Sequence, residues 1–417
     1  MPPPTPPRDD TKTLQSVLEL GLYRAGLINE RNFGHPNKYG WSNSARTDKG
    51  VHAAAQVCSF KGEMILFDRV YRGNDDDDDD DDDDDVGESS SMRNGRRLLS
   101  YREQFDMMRE KVNDCLPMDV RVLDIERVTK SFCARTNRDK VRYQYMVPSY
   151  LLLSREEVRR ALFHPLPTGG GDAAGDVDAR ISRSRRDLVR YRVSSERMEL
   201  LKAGLKLFEG THNFHNYTRR VGSDDATSNR FILSFVPLDP VIVKSGSTSS
   251  STEDDDDEDD DDNTQWIPLQ VVGQSFLLNQ IRKMVSAAID HARGAVTRET
   301  IVNSLTGQSK MKVDVAPPNG LFLDRSYFEL YNRHKVKNAP RHGDNGEQHN
   351  TLDWVEAGEG EEVPPAVRRI EEFKNERIIP HIVREEVREG NFMHYMYSHE
   401  SHFDEMYSSM GEREPKV

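Results

Sequence analysis

Three cysteines, Cys58, Cys115 and Cys133, are all that 417 residues contain, and no two form a C-x-x-C pair. That excludes a disulfide framework and a thiolate zinc site. No run approaches 18 uncharged apolar residues, so no membrane-spanning helix is expected. A Gly-rich dinucleotide fingerprint and a phosphate-binding P-loop are absent too, which removes the commonest cofactor and nucleotide sites. Apolar residues are 35% of the chain against 31% charged, too few for all of this length to be packed. The opening MPPPTPPRDD has no apolar signal core and no Arg-rich, acid-poor helix, so a soluble intracellular protein is expected.

The net charge of −14 is concentrated in two places. Asp75 to Asp85 is an unbroken run of 11 aspartates, and Glu253 to Asp262 holds 10 further acidic residues. Without those 21 the chain has 51 acidic residues against 58 Lys and Arg, about +7. The remainder suits an anionic partner. The two runs repel themselves and read as solvated insertions, or as tracts that attract basic partners.

The ordered segments mix helix and strand without a regular βαβ rhythm, which predicts an α+β fold. Leu14, Val17, Leu18 and Leu22 recur at helical spacing up to Gly26. Leu116 to Val128 and Val141 to Val147 have the β-branched and aromatic content of strands. Phe276, Leu277, Ile281, Met284, Val285, Ala288 and Ala292 form one helical stripe that stops at Gly294. The expected division is a tail over 1–11, an N-terminal α+β domain over 12–130 with its insertion at 75–85, and a second α+β domain over 131–334. Insertions are expected there at about 168–187 and 245–263, followed by a mostly polar tail, 335–417, with docking helices at about 365–388.

The densest chemical signal is Ala45-Arg46-Thr47-Asp48-Lys49-Gly50-Val51-His52-Ala53. Asp-x-Gly alone is usually only a turn. Here Arg46 and Lys49 flank the aspartate and would keep it ionised. His212 and His215 have the spacing of two metal ligands, but no third ligand lies nearby, so turn or rim positions are the better reading. Arg180, Arg183, Arg185, Arg186, Arg190 and Arg192 read equally as phosphate contacts, a nuclear address or a solvated helix face.

The Asp48 string resembles the catalytic loop of the TruA-type tRNA pseudouridine synthases. Three further segments match in order: Phe132-Cys133-Ala134-Arg135 with Arg142-Tyr143-Gln144-Tyr145, then FLLNQIRKM over 276–284, then APPNGLFLD over 316–324. GTHNFHNY at 210–217, LPMDVRVLDIERVTKSF at 116–132 and FKNERIIPHIVREE at 373–386 are similar to the eukaryotic branch. The resemblance implies two tandem ferredoxin-like or RNP-like domains whose antiparallel sheets meet at a basic cleft. It implies isomerisation of uridine to pseudouridine in tRNA, with other small RNAs as a further class of partner. No cofactor, metal or membrane is implied.

By the same resemblance Asp48 is the nucleophile, at C1′ or at uracil C6, and Arg282 orients it. Tyr143 stacks on the flipped base and takes the C5 proton, while Arg46 helps fill the space the base leaves. Lys49, Arg135, Tyr145 and His212 are implied RNA contacts. A nuclear location follows from the branch, and both a dimer and a monomer stay open. The family's usual first strand has no counterpart in MPPPTPPRDDTK, so the expectation is either a sequence that starts downstream of that strand or a sheet short of one edge. Two other function classes fit parts of the sequence: a non-catalytic tRNA-binding or folding protein, and an interaction protein working through its acidic tracts.

Overall fold

Thr13 opens the first helix as a capping box, its hydroxyl accepting from Ser16 N–H and its own N–H donating to Ser16 Oγ. That helix, α1 (Leu14–Ala25), stops where Gly26 turns left-handed at φ +88°. The computed structural model describes residues 13–64, 68–69, 92–93, 96–98, 101–163, 177–244, 263–337, 352, 354 and 362–408. Residues 1–12 and both acidic tracts lie outside the described residues.

After α1 come the two-residue strands β1 (Ser42–Asn43), β2 (His52–Ala53) and β3 (Cys58–Ser59), with β1 antiparallel to β3. A small three-stranded sheet joins β4 (Asp68–Arg69), β5 (Met92–Arg93) and β6 (Arg96–Leu98). Helix α2 (Tyr101–Asn113) then lays Phe105, Met108 and Val112 against Leu22, Ala25, Leu27, Ile28, Tyr39 and Leu116. This N-terminal core is separate from the main one.

Leu116–Val128, expected as a strand, forms no ladder among the described residues. Side chains satisfy its backbone instead. Asn113 Oδ1 accepts from Val122 N–H while its Nδ2 donates to Val122 O, and Arg369 Nε donates to Leu123 O. Asp124 gathers Arg102, Arg369 and Trp354 Nε1.

The main sheet has seven strands in the order β2-β12-β7-β11-β9-β8, with β10 also on β11. They are β7 (Lys140–Pro148), β8 (Gly210–Asn213), β9 (Asn229–Pro237), β10 (Val241–Lys244), β11 (Asn263–Gly273) and β12 (Leu321–Tyr327), with β2 at one edge. Every pairing is antiparallel except β2 on β12. One row of partners crosses it as Ala53, Leu323, Tyr143, Val271 and Phe235. The mixed α+β class is as expected.

Helices α3 (Arg155–Phe163), α4 (Val177–Arg190), α5 (Ser195–Lys206), α6 (Gln280–Ala292), α7 (Arg298–Ser304) and α8 (Glu329–Lys337) occupy the connections. Helix α4 corrects the expected insertion over 168–187, since residues from 177 onward are helical. Ile181, Ser184, Leu188 and Val189 form its buried face, which the surrounding arginines mask in the sequence.

The tail is less peripheral than expected. Helices α9 (Pro365–Phe373) and α10 (Ile379–Glu389) join through a π-helical turn, Lys374–Ile378, and α11 (Asn391–Ser401) and α12 (Phe403–Ser408) follow. Ile370, Ile382, Phe392, Met396 and Met406 belong to the main core. Ions lock the tail down as well. Buried Asp324 on β12 accepts from Arg142 Nε at 2.5 Å and lies 3.6 Å from Lys374 Nζ, while Arg325 bonds both Asp324 and Glu371. His399 on α11 bridges Asp290 of α6 and Asp314, each at 2.8 Å.

Candidate active site

The pairing of β1 with β3 closes a loop over residues 44–57, and Asp48 sits exposed on it. Gln56 Nε2 donates across the loop to Ala45 O at 3.1 Å. At the tip, Val51 N–H donates to Asp48 O at 3.0 Å, closing a β-turn whose third residue is Gly50 at φ +83°. This is the reason for Asp-x-Gly: an L side chain at 50 would be strained, and its Cβ would sit 3.3 Å from Pro318 Cγ. Beyond the turn the chain joins the main sheet, as Val51 and Ala54 enter the core and Ala54 N–H donates to Leu323 O at 2.8 Å.

Tyr143 lies in the middle of β7, buried, with its ring edge-on to Phe276 at 5.5 Å. Burial pushes its phenol up to about 12; the Arg138 charge opposes this and the Asp48 carboxylate adds to it. Arg282, in the first turn of α6, is half-buried and donates from Nε to Ala316 O at 2.5 Å. Burial lowers its pKa, while Tyr145 and Asp48 act to raise it. Loop, strand and helix are far apart in sequence, and the Asp48 charge is felt on both of the others. Among the described residues Asp48 has no ion-pair or side-chain hydrogen-bond partner, so Arg282 stands near it without holding it.

The remaining expected residues separate. Arg46, Lys49 and Arg135 are exposed, and Arg135 N–H is tied to Ser42 Oγ at 3.2 Å. His212 is half-buried on β8, its Nε2 against Glu209 O at 2.8 Å. His215 is fixed through Asn213 Oδ1 and Ser309 O. Tyr145 corrects the expectation of an RNA contact. Two residues from Tyr143 on the same strand face, it is fully buried, and its hydroxyl donates to Pro317 O at 2.8 Å.

Sequence reasoning missed several neighbours. Arg138 stands beside Tyr143, and the signal was present, because it lies inside the Phe132–Tyr145 stretch. Exposed Arg219 acts on the charges of Arg282 and Lys283. Lys283 Nζ in turn donates to Asn216 O and Thr218 O, at 3.0 and 3.2 Å, tying that loop to the start of α6. Asn279, left-handed at φ +62°, sets the helix entry, which is why α6 begins after Phe276 and Leu277.

A family profile described as tRNA pseudouridine synthase matches residues 205–329. The chain is similar to the Pseudouridylate synthase 1 homolog of Homo sapiens, 27% identical over 92% of this chain and 66% of that protein. It is similar to the tRNA pseudouridine synthase 1 of Kluyveromyces lactis, 26% identical over 78% of this chain and 57% of that protein. The tRNA pseudouridine synthase 1 of Saccharomyces cerevisiae is 26% identical over 79% of this chain and 58% of its own length. The chain thus spans between 57% and 66% of the length of these curated relatives.

Proposed function

Because the chain belongs to the eukaryotic branch of the TruA-type tRNA pseudouridine synthase family, we propose that it isomerises specific uridines of tRNA to pseudouridine. The observation that carries this reading is the convergence of Asp48, Tyr143 and Arg282 from three separate elements.

In the reaction the C1′–N1 bond breaks, uracil turns, a C1′–C5 bond forms, the C5 proton leaves to solvent and N1 takes up a proton in its place. The equation balances without an oxidant, a reductant or a metal. Asp48, exposed on a turn, is the nucleophile, adding to C1′ or to uracil C6 and leaving again. An exposed loop suits a base that must leave its helix before it can be reached. Tyr143 and Phe276 form the wall on which that base stacks. With its phenol held near 12, Tyr143 is neutral at pH 7, so it accepts the C5 proton only by passing its own on. Arg282 supplies positive charge facing the nucleophile. Arg46, Lys49 and Arg135, all exposed, contact phosphates and set register.

The separation of the N-terminal core from the main one supports two tandem ferredoxin-like halves, an N-terminal one around α1 and α2 and a larger one around β7 and β11. In this reading the site lies where they meet.

The direct test is tritium release from tRNA transcripts carrying 5-tritiated uridine, comparing the parent with Asp48→Asn. The expected result is release by the parent and a loss of about 10³-fold or more in the variant, with tRNA affinity retained. Equal release by both would remove Asp48 as nucleophile. Release by neither, with tRNA bound, would favour the non-catalytic tRNA-binding protein.

A further inference from the structure

We propose that Arg138 is a positioning residue for this reaction, clamping the Asp48 loop to the sheet that carries Tyr143; the inference rests on the function proposed above. Arg138 belongs to the turn leading from Cys133 into β7. Its Nη1 donates to Ser44 O at 2.6 Å and its Nη2 to Gln274 O at 3.3 Å. Ser44 is the residue at which the Asp48 loop leaves β1. Gln274 follows β11 and stands two residues before Phe276, whose ring meets Tyr143. One planar guanidinium thus joins the root of the nucleophile's loop to the strand end that walls the base site.

The cost of this arrangement argues for a function. Burial lowers the pKa of Arg138, and its buried Nε has no hydrogen-bond partner. Two backbone carbonyls could be bridged by a neutral amide, which has two N–H donors and brings no charge to desolvate. The positive charge faces Tyr143 instead, and there it opposes both burial and the Asp48 carboxylate. That makes loss of a proton from Tyr143 less unfavourable. Arg138 therefore does two things for the site: it fixes the loop, and it holds positive charge beside the tyrosine.

The loop has other ties. Ser44 Oγ and Ser326 Oγ are 3.0 Å apart, and Ala54 N–H reaches Leu323 O. Loss of the clamp should therefore loosen the loop without unfolding it. The experiment compares the parent with Arg138→Lys, which keeps the charge but not the fork, and Arg138→Gln, which keeps a bridging amide but not the charge. Three quantities are read: the single-turnover rate of tritium release at saturating tRNA, the Kd for tRNA, and hydrogen–deuterium exchange of the 44–54 segment.

For Arg138→Lys the expected result is faster exchange in 44–54 alone, a rate about 10- to 100-fold lower and a Kd changed less than about twofold. For Arg138→Gln the expected result is near-parental exchange with a lowered rate. Unchanged exchange in Arg138→Lys overturns the clamp. Faster exchange throughout β7 and β11 overturns it too, in favour of a general structural role. A loss confined to Kd overturns it in favour of an RNA contact. If the parent releases no tritium, the proposed reaction fails, and exchange in 44–54 still decides the clamp.

Discussion

The N-terminal region and the body built on β7 and β11 hold their backbones by different means. In the body, long strands register over many residues and β11 is laddered on both sides. In the N-terminal region the strands at 42–59 are two residues long, and residues 116–128 are held by side chains from α2 and the tail. The Asp48 loop belongs to the N-terminal region, whereas Tyr143 and Arg282 belong to the body. Fold stability should accordingly reside in the body and its docked tail, whereas catalytic geometry should depend on a few cross-ties to the Asp48 loop.

The largest effect expected from breaking the body is at Asp324. Asp324→Asn removes the buried carboxylate shared by Arg142, Arg325 and Lys374, leaving Arg325 its pair with Glu371, which should cost about 3–5 kcal/mol in a denaturant melt. A loss under about 1 kcal/mol would show that the tail does not stabilise the body through this cluster.

Next comes the pH dependence set by His399. Burial lowers its pKa, but Asp290 and then Asp314 raise it more, to about 9 from an ordinary 6.5. A raised folded pKa contributes stability that is complete below 6.5 and lost as pH rises through 9. The parent should therefore lose on the order of 3 kcal/mol between those limits, and His399→Gln should flatten that slope. Parallel curves for parent and variant would mean that the imidazole is not charged in the fold.

The smallest effect sharpens the comparison inside the N-terminal region. Cys133 is lowered to about 7, first by its hydrogen bond with Ser42, whereas burial pushes Cys58 up to about 12. Iodoacetamide at neutral pH should label Cys133 before Cys58, read by peptide mass, with little change in stability. Equal labelling would mean that β3 opens as readily as the turn at Cys133.

The candidate site was legible through the resemblance, and local geometry accounts for two of its features. Gly50 must be glycine for the turn, and alternation places Tyr143 and Tyr145 on one face. Alternation does not say that both are buried, or that the Tyr145 hydroxyl is tied to the Pro317 carbonyl, brought in from far downstream. Helix α1 was legible from its spacing and its glycine stop. Leu116–Val128 has strand composition, yet a strand exists only where a partner pairs with it. Helix α4 was hidden by arginines that leave its buried face short. Helices α11 and α12 were missed because His399 and Glu400 look solvent-facing until Asp290, Asp314, Arg155 and Arg293 are placed around them.

The π turn between α9 and α10 sets the rotational phase of the tail. Sixteen residues at 100° each would leave Glu386 about 160° around a regular helix from Ile370, facing nearly the other way. Yet Ile370, Lys374, Ile378, Ile382 and Glu386 are all buried. Pro380 has no N–H to return to the carbonyl four residues earlier, and Lys374–Ile378 adopts the wider turn just before it. Each wider step advances the chain by less than 100°, taking back part of the drift. One helix can then keep a continuous seam against a curved body, meeting Asp324 with its first half and Tyr150 with its second.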